Sequence, residues 1–272
     1  AFFGGSFTAI EREYMCSLLT AAKHFSDTYG FAGIRVSTRP DCIDEEVLSV
    51  LRHYGVTAVE LGAQSMVDEV LSANRRGHTA EDVRKASELI KAAGFELGLQ
   101  MMTGLYKSDF EKDEYTAREI IRIKPDTVRI YPTVVLRNTY LDFLRETGEY
   151  SAPTAEETAP FCAELLQMFE QEGIRVIKLG LHSSESVESE MTGGAYHPAF
   201  RELCEGYIFL KKITAIMRDK DKNRQYEILV SEKALSKAKG QQKRNEKALK
   251  NMGFCCKIKG SKNLEEFQIE VV

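Results

Sequence analysis

The sequence predicts an α/β fold, a partial (β/α) barrel of the TIM type followed by a small α+β module at the carboxyl end. Over the first two hundred residues, six short apolar runs alternate with amphipathic stretches, which predicts parallel strands joined by helical crossovers. Each run ends in its own polar or glycine-containing cluster. A doubly wound sheet gathers its ligand chemistry at one switch point, so this repetition favours the barrel. Residues 211–272 differ in both charge and element order.

The predicted strands and helices of the barrel alternate, with two helices after the third strand. Strands are expected at 1–3, 34–36, 58–61, 97–102, 128–135 and 175–181, and helices at 10–25, 44–53, 67–72, 80–93, 110–123 and 155–171. Asp44 is the predicted N-cap of the second helix, because its carboxylate suits the free N–H groups of a first turn. The opening Ala1-Phe2-Phe3 has the pattern of a strand end. We therefore expect the chain to be a fragment, preceded by at least one βα unit of about 30 residues.

Two further segments are predicted in residues 183–272. Segment 183–194 is rich in Ser, Glu and Gly and is expected to be a linker, with a helix over 200–218. The order that follows is strand 226–230, helix 232–238, turn 239–243, helix 244–252 and strands 255–259 and 267–271. The predicted units are the partial barrel (1–182), the linker and helix (183–221) and the small module (222–272).

Composition excludes several classes of protein. With 43% apolar and 29% charged residues among 272, the chain is neither disordered nor fibrous. No run approaches the ~20 apolar residues of a membrane span, and no signal peptide is recognisable, so we expect a cytoplasmic protein without a membrane partner. Six cysteines in so long a chain fit reduced thiols better than disulfides. None of them forms a CxxC or CxxxCxxC motif: Cys16, Cys42, Cys162, Cys204, Cys255 and Cys256.

The net charge of −4 hides a strong asymmetry. Residues 211–272 hold 16 Lys and Arg against 8 Asp and Glu, a net charge of +8. Residues 1–210 hold 21 against 33, a net charge of −12. A basic tail after an acidic body indicates either contact with a polyanion or a solvated lysine-rich helix, and charge alone favours the second.

The strand ends resemble those of the radical S-adenosylmethionine (SAM) superfamily. The closest likeness is to the branch that contains the catalytic subunit of Elongator and oxygen-independent coproporphyrinogen III oxidase. The resemblance covers roughly residues 1–210. It is carried by five segments in order, with Arg129-Ile130-Tyr131-Pro132-Thr133 and Tyr196-His197-Pro198-Ala199-Phe200 after them: Phe2-Phe3-Gly4-Gly5-Ser6, Ser37-Thr38-Arg39-Pro40-Asp41, Glu60-Leu61-Gly62-Ala63-Gln64-Ser65, Asn74-Arg75-Arg76-Gly77-His78 and Gln100-Met101-Met102-Thr103-Gly104-Leu105.

The resemblance implies a set of SAM-binding positions. In this resemblance, the glycine pair Gly4-Gly5 lets the backbone approach the methionine amino group of SAM. Gln64 and Arg76 match positions that hold the ribose hydroxyls and the carboxylate. Ser37 and Gln100 stand where relatives often carry Glu and Asp, so they keep hydrogen bonding but remove negative charge. The implied positions are Gly4, Gly5, Ser6, Ser37, Gln64, Arg76 and Gln100.

The resemblance also implies a 4Fe–4S cluster, held in the family by the three thiolates of a CxxxCxxC motif. That motif is absent here, so the ligands are expected upstream and this chain alone is expected to hold no cluster and to be inactive. The family further implies an electron donor such as flavodoxin or ferredoxin. No catalytic residue is assigned, although His182 and His197 are candidates to face the barrel mouth.

The carboxyl-terminal module resembles a KH module, whose GxxG turn between two helices clamps nucleic-acid backbone. Here the turn reads Gly240-Gln241-Gln242-Lys243, with lysine at the second glycine position. The predicted RNA contacts are Lys239, Gly240, Lys243 and Arg244. The alternative is a small α+β cap with a solvated lysine-rich face.

The resulting hypothesis is a radical SAM enzyme that forms a 5′-deoxyadenosyl radical and modifies RNA, in particular tRNA. One alternative is a porphyrinogen-type radical SAM oxidase, which predicts tetrapyrrole binding. The other is a catalytically silent RNA-binding protein.

Overall fold

The computed structural model describes residues 1–3, 5–265 and 267–272. In its first part, strands and helices alternate as predicted. The strands are β1 (Ile34–Thr38), β2 (Val56–Gln64), β3 (Glu96–Thr103), β4 (Thr127–Pro132), β5 (Val134–Leu136), β6 (Arg175–Leu179) and β7 (Met191–Gly194). The helices are α1 (Arg12–Tyr29), α2 (Glu45–His53), α3 (Asp68–Ala73), α4 (Ala80–Ala92), α5 (Phe110–Ile123), α6 (Tyr140–Glu146), α7 (Ala155–Gln171), α8 (Glu185–Glu190) and α9 (Phe200–Met217).

Five of these strands form one parallel sheet in the order β1-β2-β3-β4-β6. The first predicted strand contributes only an isolated parallel bridge, in which Phe2 pairs with Val36 at the free edge of β1. The N–H of Phe2 donates to the carbonyl of Arg35 over 2.8 Å. A parallel sheet with helical crossovers confirms the predicted α/β partial barrel.

The two faces of this sheet differ in polarity. Fully buried aliphatic side chains at alternate positions pack into the main core with residues of the helices: Val36, Val59, Leu61, Leu97, Leu99, Val128 and Ile130. Because successive side chains of a strand point to opposite faces, the positions between them lie on the other face. That face carries polar and charged groups, including Ser37, Glu60, Gln100 and Arg129. The polar face is where a ligand site can form.

The helices begin where capping residues supply acceptors. The carboxylate of Asp44 accepts from the N–H of Val47 over 2.7 Å, which confirms the predicted cap of α2. Thr79 with Asp82, and Thr154 with Glu157, form complete capping boxes at α4 and α7. No helix in the described part of the chain is long and apolar enough to cross a membrane.

Segment 183–194 is more ordered than the predicted linker. It forms α8 and then β7, which pairs antiparallel with β5. Gly194 has φ +104°, and a Cβ there would lie 2.5 Å from the carbonyl oxygen of Thr133. The glycine therefore serves a close approach between two strands, not a flexible connection. The predicted strand 128–135 is correspondingly divided, because β4 ends at Pro132 and β5 belongs to this second sheet.

The remaining elements have the order strand, helix, helix, strand, strand that the sequence predicts. They are β8 (Gln225–Ser231), α10 (Leu235–Lys239), α11 (Arg244–Asn251), β9 (Cys255–Ser261) and β10 (Ile269–Val271). Their sheet is mixed, since β8 is parallel to β9 and antiparallel to β10. Helix α9 joins the two parts: Phe200 and Ile208 pack in the main core, whereas Phe209 and Ile213 pack in the core of this module.

Candidate functional site

A cavity of about 420 Å³ opens where the parallel strands end. This volume lies in the range of about 300–1,000 Å³ that is typical of ligand pockets. Gly4 lies outside the described residues. The cavity brings together the other six predicted SAM positions: Gly5, Ser6, Ser37, Gln64, Arg76 and Gln100.

Ser37 and Gln100 are joined across the floor of the cavity. The side-chain amide of Gln100 donates to the hydroxyl of Ser37 over 3.1 Å. Glu60 of β2 lies between them, paired with Ser37 on one side and with Gly98 on the other. The two neutral side chains therefore replace the expected acidic pair with one hydrogen-bonded unit that spans three strands.

Gln64 ends β2 in a strained backbone conformation. Its φ is +64°, a region that residues other than glycine rarely occupy. Its side chain is buried, and the amide oxygen has no hydrogen-bond partner. A buried acceptor without a donor is costly, so this oxygen is suited to accept from a ligand hydroxyl.

Arg76 faces the cavity from the loop between α3 and α4. No carboxylate in the described part of the chain pairs with it, and its buried Nε has no partner. Burial lowers the pKa of its guanidinium, and the positive charge of Arg39 lowers that pKa further. The loop is held in place by His78, whose Nε2 lies 3.1 Å from the carbonyl oxygen of Ala63. An anionic ligand would relieve the electrostatic cost of this buried cation.

Glu60 and Arg129 form an ion pair on the polar face, although the motifs assigned a role to neither residue. Glu60 is fully buried and accepts from the Nε of Arg129 at 2.5 Å. The guanidinium of Arg129 also lies 4.8 Å from the ring centre of Phe3 and 3.5 Å from the hydroxyl of Tyr131. A Cβ at position 98 would lie 2.4 Å from Glu60, so Gly98 makes room for the pair. The alternation of apolar and polar residues along β2 and β4 could have indicated this pair, since it places both residues on the polar face.

The two candidate histidines lie in different cavities. His182 lines the strand-end cavity, and its Nδ1 lies 3.2 Å from the Nζ of Lys178. His197 instead lines a different groove of about 620 Å³ together with Arg244 and Lys247. Its Nδ1 accepts from the N–H of Ala199 over 3.1 Å. The prediction that His197 faces the barrel mouth is therefore wrong, because the loop after β7 turns it towards the carboxyl-terminal module.

The predicted RNA-binding residues lie around a turn with unusual backbone angles. Gly240, Gln242 and Lys243 all have positive φ. Lys243 is exposed, whereas Arg244 is half-buried and donates a hydrogen bond to the hydroxyl of Tyr207 on α9. The guanidinium of Arg244 lies 4.7 Å from the centre of the Tyr207 ring. Arg244 thus contributes to docking the module on α9, and Lys239 and Lys243 are the freer cations of the turn.

The residues present fit SAM better than they fit an iron–sulfur cluster. The cavity offers an amide acceptor and an unpaired guanidinium, which suit ribose hydroxyls and a carboxylate. The cysteines do not suit a cluster, since burial raises the pKa of the Cys162 thiol to about 12 and also raises the pKa of Cys204. Within residues 1–3, 5–265 and 267–272, no three His, Cys, Asp or Glu side chains are grouped to hold a metal ion.

Curated relatives match the chain over part of their length. The tRNA uridine(34) acetyltransferase of Methanocaldococcus jannaschii is 34% identical over 176 residues, which are 57% of this chain and 32% of that relative. Elongator complex protein 3 of Schizosaccharomyces pombe is 34% identical over 140 residues, 50% of this chain and 26% of that relative. The match thus spans about a third of these proteins or less.

Solved structures and family comparisons agree with the fold. The archaeal Elp3 of Methanocaldococcus infernus has a TM-score of 0.68 and 26% identity, over 77% of this chain and 53% of that chain. Coproporphyrinogen III oxidase from Escherichia coli has a TM-score of 0.50 and 19% identity over 62% of this chain, a likeness of fold. Residues 1–120 match the Radical SAM superfamily, and residues 125–209 match the Radical SAM C-terminal domain. The resemblance predicted from the strand-end motifs is therefore confirmed, and the chain belongs to the radical SAM superfamily.

Proposed function

We propose that this chain binds SAM in the strand-end cavity and serves a radical SAM enzyme that modifies RNA. The observation that carries the proposal is the meeting of two unsatisfied groups in one cavity. The amide oxygen of Gln64 lacks a donor, and the guanidinium of Arg76 lacks an acceptor. SAM has both complements, since its ribose carries hydroxyl groups and its methionine carries a carboxylate.

Each proposed contact follows from the geometry of this chain. Gly5 and Ser6 bring the backbone to the cavity before α1, where an absent or small side chain leaves space for the methionine amino group. Gln64 accepts from the ribose hydroxyls, and Arg76 binds the carboxylate. The hydrogen-bonded pair of Ser37 and Gln100 orients the ligand from the floor of the cavity. Burial of these groups excludes water and strengthens each contact.

The radical chemistry belongs to the cofactors. No residue of this chain is assigned to a 4Fe–4S cluster; where the family's reduced cluster is present, it would supply, together with SAM, a 5′-deoxyadenosyl radical. We propose that a one-electron donor such as flavodoxin or ferredoxin reduces the cluster. The cysteines of this chain lack the spacing for that cluster, so we propose that the chain on its own binds SAM but does not react with it.

The proposed substrate class is RNA, and tRNA in particular. Two observations support it: one of the similar proteins is a tRNA uridine(34) acetyltransferase, and residues 211–272 carry a net charge of +8. The acetyl transfer named for that relative is not part of the proposal, because the match covers 32% of it. A tetrapyrrole substrate is not proposed, since the likeness to coproporphyrinogen III oxidase concerns the fold.

Titration of SAM into the 272-residue chain tests the binding step. Arg76→Ala and Gln64→Ala should each weaken SAM binding by about 1–3 kcal/mol, because each removes one partner of a buried hydrogen bond. Arg75→Ala is the matched control, since Arg75 is exposed, lies over the Tyr140 ring at 3.9 Å and does not line the cavity. Thermal unfolding of each variant checks its stability. Equal SAM affinity in all four proteins would remove both residues from the site and favour a catalytically silent RNA-binding protein.

A further inference from the structure

The lining of the strand-end cavity is cationic, although the surrounding body is acidic. Its cationic or basic side chains are Arg39, Arg76, Arg129 and His182, and no Asp or Glu is found among the described lining residues. Asp41 and Glu60, outside the lining, pair with Arg39 and Arg129. Residues 1–210 as a whole hold 21 Lys and Arg against 33 Asp and Glu. The cavity therefore concentrates positive charge against the trend of its own domain.

These cations come from two adjoining sides of the cavity. The proposed SAM contacts come from the segment before α1, from β1, β2 and β3 and from the loop before α4, whereas Arg129 and Tyr131 come from β4 and His182 follows β6. Lys178 of β6 is paired in register with Arg129. We give the name β4–β6 wall to Arg129 and His182, which line the cavity, together with Lys178, which contacts His182 but does not itself line the cavity.

Lys178 is held among other cationic or basic groups. Its Nζ lies 3.2 Å from the Nδ1 of His182, and no carboxylate of the described residues forms an ion pair with it. Burial lowers the pKa of Lys178, and the positive charge of Arg129 lowers that pKa further. Glu60 balances Arg129, whereas no described carboxylate balances Lys178, so an anion beside Lys178 would be stabilised.

Arg129 is fixed in orientation and still has a free donor. Its Nε binds Glu60, its Nη1 reaches the Tyr131 hydroxyl at 3.5 Å, and its plane lies 4.8 Å from the Phe3 ring centre. No described residue accepts from its Nη2. A guanidinium held on several sides with one free edge is prepared to bind an oxyanion.

SAM does not satisfy this second wall. It carries one carboxylate against one ammonium and one sulfonium, so it brings no net negative charge to the cavity. Arg76 is the unpaired cation on the SAM side and takes that single carboxylate. Glu60 already balances Arg129, so Lys178 is the cation of the β4–β6 wall that the second molecule in the cavity, the substrate, would balance.

We propose that the β4–β6 wall binds a phosphate group of the nucleotide to be modified. The proposal deepens the proposed function and rests on it for the choice of nucleotide. Arg129 offers directed N–H donors and Lys178 offers a point charge, a combination that suits phosphate oxygens. The phosphate holds the nucleotide on the β4 and β6 side, next to the SAM contacts, since Arg129 is paired in register with Gln100. Arg129 and Lys178 are thus specificity-determining residues for a phosphorylated substrate.

The test compares uridine 5′-monophosphate with uridine as probes, titrated by calorimetry into the 272-residue chain with excess SAM present to occupy Arg76. The wild-type chain should bind the monophosphate at least about tenfold more tightly than the nucleoside. Lys178→Gln should remove most of that preference. The double variant Glu60→Gln with Arg129→Gln should do the same without leaving the buried carboxylate unpaired. Lys262→Gln, which removes an exposed lysine elsewhere, should keep the full preference.

Two results would overturn the proposal. One is equal affinity of the wild-type chain for the monophosphate and the nucleoside. The other is binding of coproporphyrin III in place of the monophosphate with dependence on the same residues, which would assign the wall to tetrapyrrole carboxylates. A SAM titration of Lys178→Gln keeps the two proposals apart, since Lys178 does not line the cavity and this variant should retain SAM affinity. If the wild-type chain bound no SAM, the proposed function would fail, and the same comparison in an Arg76→Ala background would still decide the phosphate site.

Discussion

Asp113 shows how one buried carboxyl group organises the loop after β3. One of its oxygens accepts from the N–H of Gly104 over 2.8 Å, and the other accepts from the hydroxyl of Ser108 over 2.5 Å. Burial raises the pKa of Asp113 from 3.8 to about 6, although both hydrogen bonds favour the charged form. The loop that it fixes follows the strand that carries Gln100, so its protonation affects a segment next to the candidate site.

This raised pKa predicts a specific dependence of stability on pH. The folded chain binds the Asp113 proton more tightly than the unfolded chain does, so the contribution is fully present below about pH 4 and is lost as pH rises through about 6. The difference between the folded and unfolded pKa values corresponds to about 3 kcal/mol. We expect the stability advantage of wild type over Asp113→Asn, from urea denaturation, to fall by up to about 3 kcal/mol between about pH 4 and pH 7. A difference that stays constant across this window would contradict the assignment.

At the residue scale, motif order predicted more of the site than residue chemistry did. Six SAM positions lie around one cavity because their motifs follow successive parallel strands, whose ends share one edge of the sheet. Glu60 and Arg129 lie within the same motifs but received no role, since they are 69 residues apart and meet only through strand register. The positive φ of Gln64 is likewise a property of the folded backbone. Charge pairs between strands need the fold before they can be recognised.

At the scale of elements, the helices and strands of the barrel were predictable from periodicity and capping, whereas β7 was not. Met191–Gly194 has the composition of a linker, and only the pairing with β5 makes it a strand. The turn at 240–243 was predicted in place, but the cation–π contact of Arg244 with Tyr207 was not. Composition indicates the secondary structure that a segment favours in isolation. For a short segment, pairing with a neighbouring strand determines the structure that forms.

The structure therefore changes which residues of this turn best test RNA binding. Lys239→Glu with Lys243→Glu reverses two of its charges and leaves the Arg244 contact to Tyr207 intact. If the turn contacts RNA phosphates, the double variant should lose most of its tRNA affinity in anisotropy titrations. The slope of log affinity against log salt should become shallower by about two, because about two fewer phosphate contacts release counterions.

The control for this double variant reverses two charges outside the module. Lys23 and Lys85 are on α1 and α4, and Lys23→Glu with Lys85→Glu makes the same change in net charge. If both double variants lost the same affinity, binding would follow net charge alone, and the turn would be part of a solvated lysine-rich face.

At the scale of the whole molecule, α9 makes one folded body of two oppositely charged parts. The helix supplies Phe200 and Ile208 to the core of the barrel and Phe209 and Ile213 to the core of the module. A hydrogen bond from Asn245 to the carbonyl of Gly206, 2.8 Å, adds a buried polar contact between α9 and α11. The basic module is thereby held against the acidic barrel by packing.

The distribution of cysteines over the molecule gives the last prediction, which concerns the cluster. After anaerobic reconstitution with iron and sulfide, the 272-residue chain should contain no stoichiometric 4Fe–4S cluster by iron and sulfide analysis and by Mössbauer spectroscopy. Three closely spaced thiolates are needed to fold around one face of a cluster. Here Cys162 and Cys204 are buried with raised pKa values, and the neighbours Cys255 and Cys256 point to opposite faces of β9. A radical SAM enzyme with an intact CxxxCxxC motif is the positive control. A full cluster on this chain would show that ligands outside that motif suffice, and it would overturn the proposal that the chain alone does not react with SAM.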